Sequence, residues 1–209
     1  MTAHIEKLHT DGVFRLDGGA WDVTNNVWLL GDADEVIVID AAHDAEAIAR
    51  AVGNRRIVAI VCTHAHNDHV NAAPELADRM PGPVPILLHP DDAVLWEQTH
   101  PDRRPDGELT DGQILTVADT QVRVLHTPGH APGAVCLYVP QLETVFTGDT
   151  LFEGGPGATG RSFSSHELIL SSINRVLFAL PPHTVVHTGH GPDTTIGAEK
   201  ANVESDREE

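Results

Sequence analysis

The 209-residue sequence is poor in basic residues and has no long apolar run, and each shortage excludes a class of protein. Its 13 Lys and Arg residues face 31 Asp and Glu residues, which gives a formal net charge of −18 at pH 7. Such an acidic chain opposes binding to nucleic acid or to an anionic membrane surface. No run of about 18 apolar residues occurs, and the N-terminal residues lack the apolar core of a signal peptide. We expect a cytoplasmic protein with neither nucleic acid nor membrane as a partner.

Cysteine is equally scarce, with only Cys62 and Cys136 in the chain. Each lies in an apolar, strand-like run, which favours a packing role over a disulfide or a nucleophile. The chain is still 41% hydrophobic, enough to bury a sizeable core. Its length suits one domain, so we predict that residues 1–209 form a single domain whose oligomeric state the sequence leaves open.

Apolar periodicity predicts short strands at first and then strands that alternate with helices. The predicted strands are 13–16, 23–30, 36–40, 57–62, 86–88, 114–117, 121–125, 134–139, 144–146 and 185–187. The predicted helices are 44–52, 71–80, 90–99 and 164–180. The polar segment 100–112 is predicted to be a surface loop, and the acidic end, 204–209, to fray. Periodicity alone therefore indicates a mixed α/β protein with considerable antiparallel content.

Three histidines and one aspartate crowd into the seven residues Thr63–His69, directly after a predicted buried strand. Imidazole and carboxylate are the usual ligands of zinc and its first-row neighbours. Alternation places His64 and His66 on one side of the chain, while Asp68 and His69 can turn toward a second point. The run predicts a metal site with room for two ions. The alternative is a set of ordinary surface histidines, of which the chain has 14 in all.

The run resembles the His-x-His-x-Asp-His signature of the metallo-β-lactamase fold superfamily, and three further motifs of that family follow in order. They are Thr127-Pro128-Gly129-His130, Phe146-Thr147-Gly148-Asp149-Thr150-Leu151-Phe152 and Thr188-Gly189-His190-Gly191. The resemblance covers nearly the whole chain. It implies an αβ/βα sandwich of four layers and a hydrolase with two divalent ions, of which zinc is the first expectation and iron or manganese the alternatives.

The resemblance also implies a role for each ligand. His64, His66 and His130 would hold one metal, Asp68, His69 and His190 the other, and Asp149 would bridge the two. Two divalent ions lower the pKa of a shared water, so that hydroxide is available near neutral pH for hydrolysis. In that reading Asp68 and Asp149 are the catalytic carboxylates, with Asp68 accepting a proton transiently. Asp40, which closes a predicted strand, either supports the metal site from behind or caps a helix.

Within the superfamily the chain is most similar to the glyoxalase II-like (hydroxyacylglutathione hydrolase-like) branch. β-Lactamases commonly have cysteine or serine where this chain has Asp149, and the flavodiiron type has glutamate in place of His66. The Gly-rich loop 154–163 keeps the Gly-Arg of the branch at Gly160 and Arg161 and resembles actinobacterial proteins thought to cleave mycothiol thioesters. The chain is too short for the helical extension that contributes to glutathione binding in full glyoxalase II enzymes.

These features predict hydrolysis of a thioester of a small cytosolic thiol. Arg161 either helps to place this substrate or only pins its own loop. Three other functions remain open: a mono-iron persulfide dioxygenase that uses His64, His130 and Asp149, a lactonase or other ester hydrolase, and a metal-binding scaffold without turnover.

Overall fold

The computed structural model describes residues 3–205, which form two large sheets and a small hairpin. The first sheet has six strands in chain order: β1 (His4–Leu16), β2 (Gly19–Gly31), β3 (Glu35–Ile39), β4 (Arg56–Val61), β5 (Ile86–Leu88) and β6 (Gly107–Glu108). The first three strands pair antiparallel, whereas β3 to β6 run parallel. A parallel pair needs a crossover, and the helices between these strands supply it.

The second large sheet takes its strands from the second half of the chain. They are β7 (Ile114–Val117), β8 (Thr120–His126), β9 (Val135–Val139), β10 (Thr144–Gly148), β13 (Val185–Thr188) and β14 (Thr194–Thr195), in the spatial order β14-β13-β10-β9-β8-β7. The intervening β11 (Leu151–Phe152) and β12 (Gly155–Pro156) form the hairpin. Only β10 and β13 pair in parallel within this sheet.

In the described part of the chain, six α-helices cover the outer faces of the two large sheets. They are α1 (Ala45–Val52), α2 (Asn67–Val70), α3 (Ala73–Arg79), α4 (Ala93–Thr99), α5 (His166–Arg175) and α6 (Ile196–Ser205). The first begins at Asp44, whose carboxylate accepts a hydrogen bond from the Ala47 amide, and ends at Gly53, whose φ of 66° suits glycine. None of these helices, within residues 3–205, is long and apolar enough to cross a membrane.

Apolar side chains fill three successive layers of core. Successive residues of a strand point to opposite faces, so Leu29 packs against the helices outside the first sheet and Leu30 against the second sheet. Beyond the second sheet, Val145 and Val186 pack against Ile169 of α5. The order is therefore helices, sheet, sheet, helices, which confirms the predicted α/β sandwich of four layers.

The structure corrects several predicted boundaries. The first two strands are much longer than predicted, and the proposed loop 100–112 contains β6. The predicted helix 71–80 is shorter, and the predicted helix 164–180 ends at Arg175, before a separate 3-10 turn at Leu177–Ala179. The end predicted to fray is helical as far as Ser205, and residues 206–209 lie outside the described part of the chain. Both cysteines are buried and free, as expected.

The loops that carry the predicted ligands leave the two sheets at one common edge. Those loops follow the carboxyl ends of β4, β8, β10 and β13. The amide of Val135 donates to the Thr63 carbonyl at 2.8 Å, and the amide of Asn26 donates to the Gly189 carbonyl at 2.8 Å. These backbone bonds join the two sheets at this edge and so fix the ligand loops relative to one another.

Candidate metal centre

All seven predicted metal ligands meet at this edge, in three overlapping groups. Within each group the possible ligand atoms lie within 4.8 Å of one another: His64, His66 and His130; His64, His69 and Asp149; Asp68, His69 and His190. All are buried except Asp149 and His190, which are partly buried. The chain brings together residues up to 126 positions apart, from His64 to His190.

The first group consists of three imidazoles that point inward. His64 Nε2 lies 3.1 Å from His66 Nδ1, and His130 Nε2 lies 2.9 Å from the same atom. The outer nitrogen of His130 donates to the Ala158 carbonyl at 2.8 Å. That bond fixes the ring and leaves the inner nitrogen of His130 as a lone-pair donor. Ligand atoms about 3.3 Å apart are what a tetrahedral ion with bonds of roughly 2.0–2.1 Å requires, so the spacing suits zinc or a similar ion.

The group of Asp68, His69 and His190 contains two imidazoles whose inner nitrogens face each other. His69 donates its Nδ1–H to Asp40 Oδ2 at 2.9 Å, and His190 donates its Nδ1–H to the Thr24 carbonyl at 2.8 Å. Both inner Nε2 atoms therefore keep their lone pairs, yet they lie only 3.2 Å apart. Two nitrogens at that distance need either a proton or a metal ion between them. Asp68 Oδ2 approaches His190 Nε2 at 3.3 Å and completes the group.

Asp149 lies between the group of His64, His66 and His130 and the group of Asp68, His69 and His190. Its Oδ1 is 3.3 Å from His69 Nε2, and its Oδ2 is 3.5 Å from His130 Nε2 and 3.6 Å from His190 Nε2. Among the described residues, the buried Oδ1 atom of Asp68 has no hydrogen-bond partner, and that of Asp149 has only the contact with His69 Nε2 at 3.3 Å. Buried carboxylate oxygens without donors are strongly disfavoured unless a cation binds them. The residues present therefore fit a pair of divalent ions.

Close approach at this centre explains the glycine of the last motif. A Cβ at Gly189 would lie 2.3 Å from Asp149 Oδ1 and 2.8 Å from His69 Cε1. Any side chain at position 189 would thus displace the carboxylate or the imidazole.

The buried carboxylates of the site favour a positive charge close by, either on a ring or on a bound ion. Burial lowers the pKa of His64 well below its usual value and that of His66 to about 3. Burial also opposes protonation of His69, but the Asp149, Asp68 and Asp40 carboxylates outweigh it and raise the pKa of that ring. Conversely, burial would raise the pKa of Asp68, but the neighbouring His69 lowers it to about 2. Protons and metal ions therefore compete for the same nitrogens, as in other metal sites.

Asp40 supports the site from behind and does not cap a helix. Its Oδ1 accepts from the Thr63 amide at 2.7 Å, and its Oδ2 accepts from Thr63 Oγ1 at 2.7 Å and from His69 Nδ1. The cap of α1 is Asp44. Of the two roles predicted for Asp40, the structure thus favours the supporting one. Its φ of 56° is unusual for a residue with a side chain.

Arg161 faces the same centre from the Gly-rich loop. Its guanidinium lies 3.9 Å above the Trp21 ring and 5.6 Å from the Phe14 ring, both on the hairpin of β1 and β2. The next residue, Ser162, donates its amide to Asp17 at the tip of that hairpin. A cavity of about 300 Å³ separates Arg161 from the ligands, and it is lined by Phe14, Val23, His66, Asp68, His130, Asp149, Phe152, Ala158, Arg161, Ser162, Ser164 and His190.

Sequence reasoning did not identify three features of the site: Phe14 and Trp21 on the hairpin of β1 and β2, Asn25, and His43. Asn25 donates its amide to Asp68 Oδ2 at 3.1 Å, and His43 contacts Asn25. His43 lies in a turn just after β3, and nothing in the sequence marks Asn25, 18 positions earlier, as its partner. His187, three residues before His190, packs on Trp28 and pairs with Asp193.

One further group of possible ligands lies outside the centre, at His89, Asp91 and His126. Its two imidazoles are stacked, with ring centroids 4.1 Å apart and planes inclined by 12°. A ligating imidazole needs the ion close to its own ring plane. One ion cannot lie in two stacked planes, so this pair does not form a metal site in the observed arrangement.

Comparison with known proteins places the chain in a family. The family model of the Metallo-beta-lactamase superfamily matches residues 20–190. The hydroxyacylglutathione hydrolase GloC of Haemophilus influenzae is 31% identical over 81% of this chain and 86% of its own length. A solved structure of TTHA1623 in a di-iron-bound form is 33% identical, with a TM-score of 0.78 over 86% of this chain and 94% of that one. The structure of the BLEG-1 B3 metallo-beta-lactamase is 32% identical, with a TM-score of 0.75 over 92% of this chain and 97% of that one.

The chain belongs to the metallo-β-lactamase superfamily. The family match, the two-sheet fold and the clustered histidines and aspartates agree on this point and support a metal-dependent hydrolase. The relatives and neighbours include a hydroxyacylglutathione hydrolase, a protein in a di-iron-bound form and a metallo-β-lactamase, so the family alone does not select the substrate or the metal.

Proposed function

We propose that the protein is a hydrolase with two divalent metal ions that cleaves a thioester of a small thiol. The observation that carries this proposal is the position of Asp149, whose carboxylate lies between two groups of inward-pointing ligands and opens onto a cavity. The name of the 31%-identical relative GloC supports the thioester. Zinc suits the ligand set, and the di-iron form of TTHA1623 makes iron the first alternative.

In this proposal His64, His66 and His130 hold one ion, Asp68, His69 and His190 the other, and Asp149 contacts both. Bound there, two ions would activate a water and polarise the carbonyl of the substrate. Water adds to the thioester carbon, the carbon–sulfur bond breaks, and the products are a carboxylic acid and a thiol.

Asp68 has a second role in the same proposal. Its Oδ1 is buried and no described residue donates to it, while its Oδ2 is held by Asn25. Oδ1 is therefore the atom that can accept the proton released by water and return it to the leaving thiolate. A ligating carboxylate is a weak base, so this role is one of transient transfer.

The first test compares substrates with the purified, metal-loaded protein. A panel should contain thioesters of glutathione, mycothiol and N-acetylcysteine, together with a lactone and a phosphodiester, and thiol or acid release should be followed. We expect kcat/KM for at least one small-thiol thioester to exceed that for the other classes by roughly tenfold or more. Faster cleavage of the lactone or phosphodiester would refute the thioester assignment, and O₂ consumption with a persulfide and a single bound iron would refute hydrolysis itself.

We further propose that Arg161 positions the substrate. Its guanidinium lines the cavity that the ligands also line, and stacking on Trp21 holds its position. Arginine is a fixed fork of donors suited to a carboxylate or a carbonyl-rich carrier, and loss of a charged hydrogen bond costs about 1.5–3 kcal/mol. Arg161→Ala is therefore expected to raise KM by roughly 10- to 100-fold with a smaller change in kcat, measured by steady-state kinetics.

Arg50→Ala is the matched control, because Arg50 is an exposed helical residue paired with Glu46. It should leave KM unchanged. If Arg161→Ala also leaves KM unchanged toward every active thioester, the substrate role is wrong. A drop in metal content or thermal stability without a selective rise in KM would show instead that Arg161 pins its own loop.

A further inference from the structure

His43 has a backbone conformation that a residue with a side chain rarely adopts. Its φ is 60°, in the left-handed region that favours glycine. The residue lies in the turn between β3 and α1, and its side chain is partly buried. Strained residues of this kind persist where the surroundings hold them, and they concentrate at functional sites.

Hydrogen bonds around His43 have only one consistent set of directions. The backbone amide of His43 must donate, and it donates to Asn71 Oδ1 at 2.7 Å. The Asn71 amide nitrogen therefore faces the ring, where it donates to His43 Nδ1 at 2.9 Å. Because Nδ1 accepts, the ring proton of the neutral imidazole is on Nε2. Burial lowers the pKa of His43, which favours the same neutral form.

From His43 the chain of donors continues to the metal centre. His43 Nε2 donates to Asn25 Oδ1 at 2.9 Å, which turns the Asn25 amide nitrogen toward Asp68 Oδ2, 3.1 Å away. The same nitrogen lies 3.4 Å from His190 Nε2. The His43 donor and the Asp68 acceptor select the same orientation of the Asn25 amide, so loss of the His43 donor leaves Asn25 Oδ1 without this hydrogen bond and the amide held mainly from its Asp68 side.

Packing leaves His43 little freedom to leave this position. A Cβ on Gly12, in the neighbouring strand β1, would lie 2.0 Å from His43 Nδ1 and 2.3 Å from its Cγ. The ring thus lies directly against the backbone of Gly12, where only glycine leaves room for it.

We propose that His43 is a positioning residue for the metal centre: as the Nε2–H tautomer it orients Asn25 so that the Asn25 amide donates to Asp68. This inference rests on the proposed function only in taking Asp68 as a ligand. Partners of metal ligands typically change metal affinity by 10- to 100-fold when they are lost, so an effect of that size is expected here.

Two substitutions distinguish the effect of losing the Nε2 donor of His43 from the effect of its backbone strain. His43→Gln keeps a donor near the position of Nε2, whereas His43→Asn is too short to reach Asn25. Asparagine tolerates a positive φ better than glutamine does, so strain alone favours His43→Asn. The proposed hydrogen bonds from His43 through Asn25 to Asp68 predict the opposite order: His43→Gln should bind metal more tightly than His43→Asn.

The experiment measures zinc affinity of the wild type and both variants by competition with a chromophoric chelator, with melting temperatures recorded in parallel. We expect His43→Gln to remain within about threefold of the wild type and His43→Asn to bind one zinc roughly 10- to 100-fold more weakly. Long-range ¹H–¹⁵N spectra of the wild type should show His43 protonated at Nε2. A proton on Nδ1, equal affinities in the two variants, or weaker binding by His43→Gln than by His43→Asn would overturn the proposal.

Neither readout depends on the substrate. If no thioester is cleaved but the zinc affinities and the tautomer are as expected, the proposed function falls and the role of His43 stands. If thioesters are cleaved and the two variants bind zinc equally, the role of His43 falls and the proposed function stands.

Discussion

Replacing Asp149 with alanine is expected to reduce thioester hydrolysis by about 10³-fold or more and to lower the bound metal from two ions per chain. Asp149 is the one carboxylate within 3.6 Å of inner nitrogens from both proposed ligand groups in the described structure. Its loss removes a shared ligand and the charge that balances the ions. A bound metal contributes several kcal/mol to stabilising charge in the transition state, and about 4 kcal/mol corresponds to the stated factor.

The measurement combines elemental analysis with steady-state kinetics. Asp78→Asn is the control, because Asp78 is an exposed acidic residue that pairs only with Arg103 among the contacts seen here, and both metal content and rate should be unchanged. The fold should survive in Asp149→Ala, since the preceding strand β10 is held by fully buried residues such as Phe146. Full activity with two bound ions in Asp149→Ala would refute the bridging role.

The fold and the ligand set could be predicted because their signals are local. A buried strand reads as an apolar run, and each ligand lies in a short motif directly after a strand end. The same reasoning found the strand at 86–88 and placed α1 to within one residue. It missed the first part of β1, where residues 4–12 are mostly exposed or half-buried, and the start of β2, where residues 19–22 are mostly exposed, because neither stretch has an apolar pattern to mark it. The strands β6, β11, β12 and β14 have two residues each, too few to show any period.

The supporting residues could not be predicted because their partners are far away in the chain. Asn25 reaches Asp68 across 43 positions, and Lys7 reaches Asp193 across 186. Stacking of Arg161 on Trp21 likewise joins the Gly-rich loop to the first hairpin. The sequence shows that such polar residues are present, but only the packing of the two sheets determines which of them meet.

Asp40→Asn is expected to have a large effect on zinc binding although it leaves the shape of the site nearly unchanged. Its carboxylate accepts from three donors: the Thr63 amide, the Thr63 hydroxyl and His69 Nδ1–H. Asparagine has nearly the same shape and accepts a positive φ such as the 56° of Asp40. The backbone should therefore tolerate Asp40→Asn, and the effect should appear in the hydrogen bonds.

Asp40→Asn is expected to weaken zinc binding by roughly 10- to 100-fold and to reduce hydrolysis by a comparable or larger factor. With the amide oxygen held by the Thr63 amide, the amide nitrogen faces His69 Nδ1. An N–H there can donate only if Nδ1 accepts, which places the proton of the neutral His69 ring on Nε2. Nε2 is the atom that faces His190 at 3.2 Å and that must carry a lone pair to bind metal. Selection of the wrong tautomer by an amide in place of a carboxylate is a known route to large losses of activity.

Asp44→Asn is the matched control, since it removes the same charge four positions later while asparagine remains a good cap for α1. Chelator competition should show wild-type zinc affinity for Asp44→Asn and reduced affinity for Asp40→Asn, with ¹H–¹⁵N spectra of the zinc-loaded proteins reporting which His69 nitrogen carries the proton. Asp40→Ala gives a different result, because it leaves two buried Thr63 donors without an acceptor and should mainly lower the melting temperature. If Asp40→Asn binds zinc as tightly as the wild type, Asp40 does not control the tautomer of His69, and its contacts serve only to hold Thr63 just after β4.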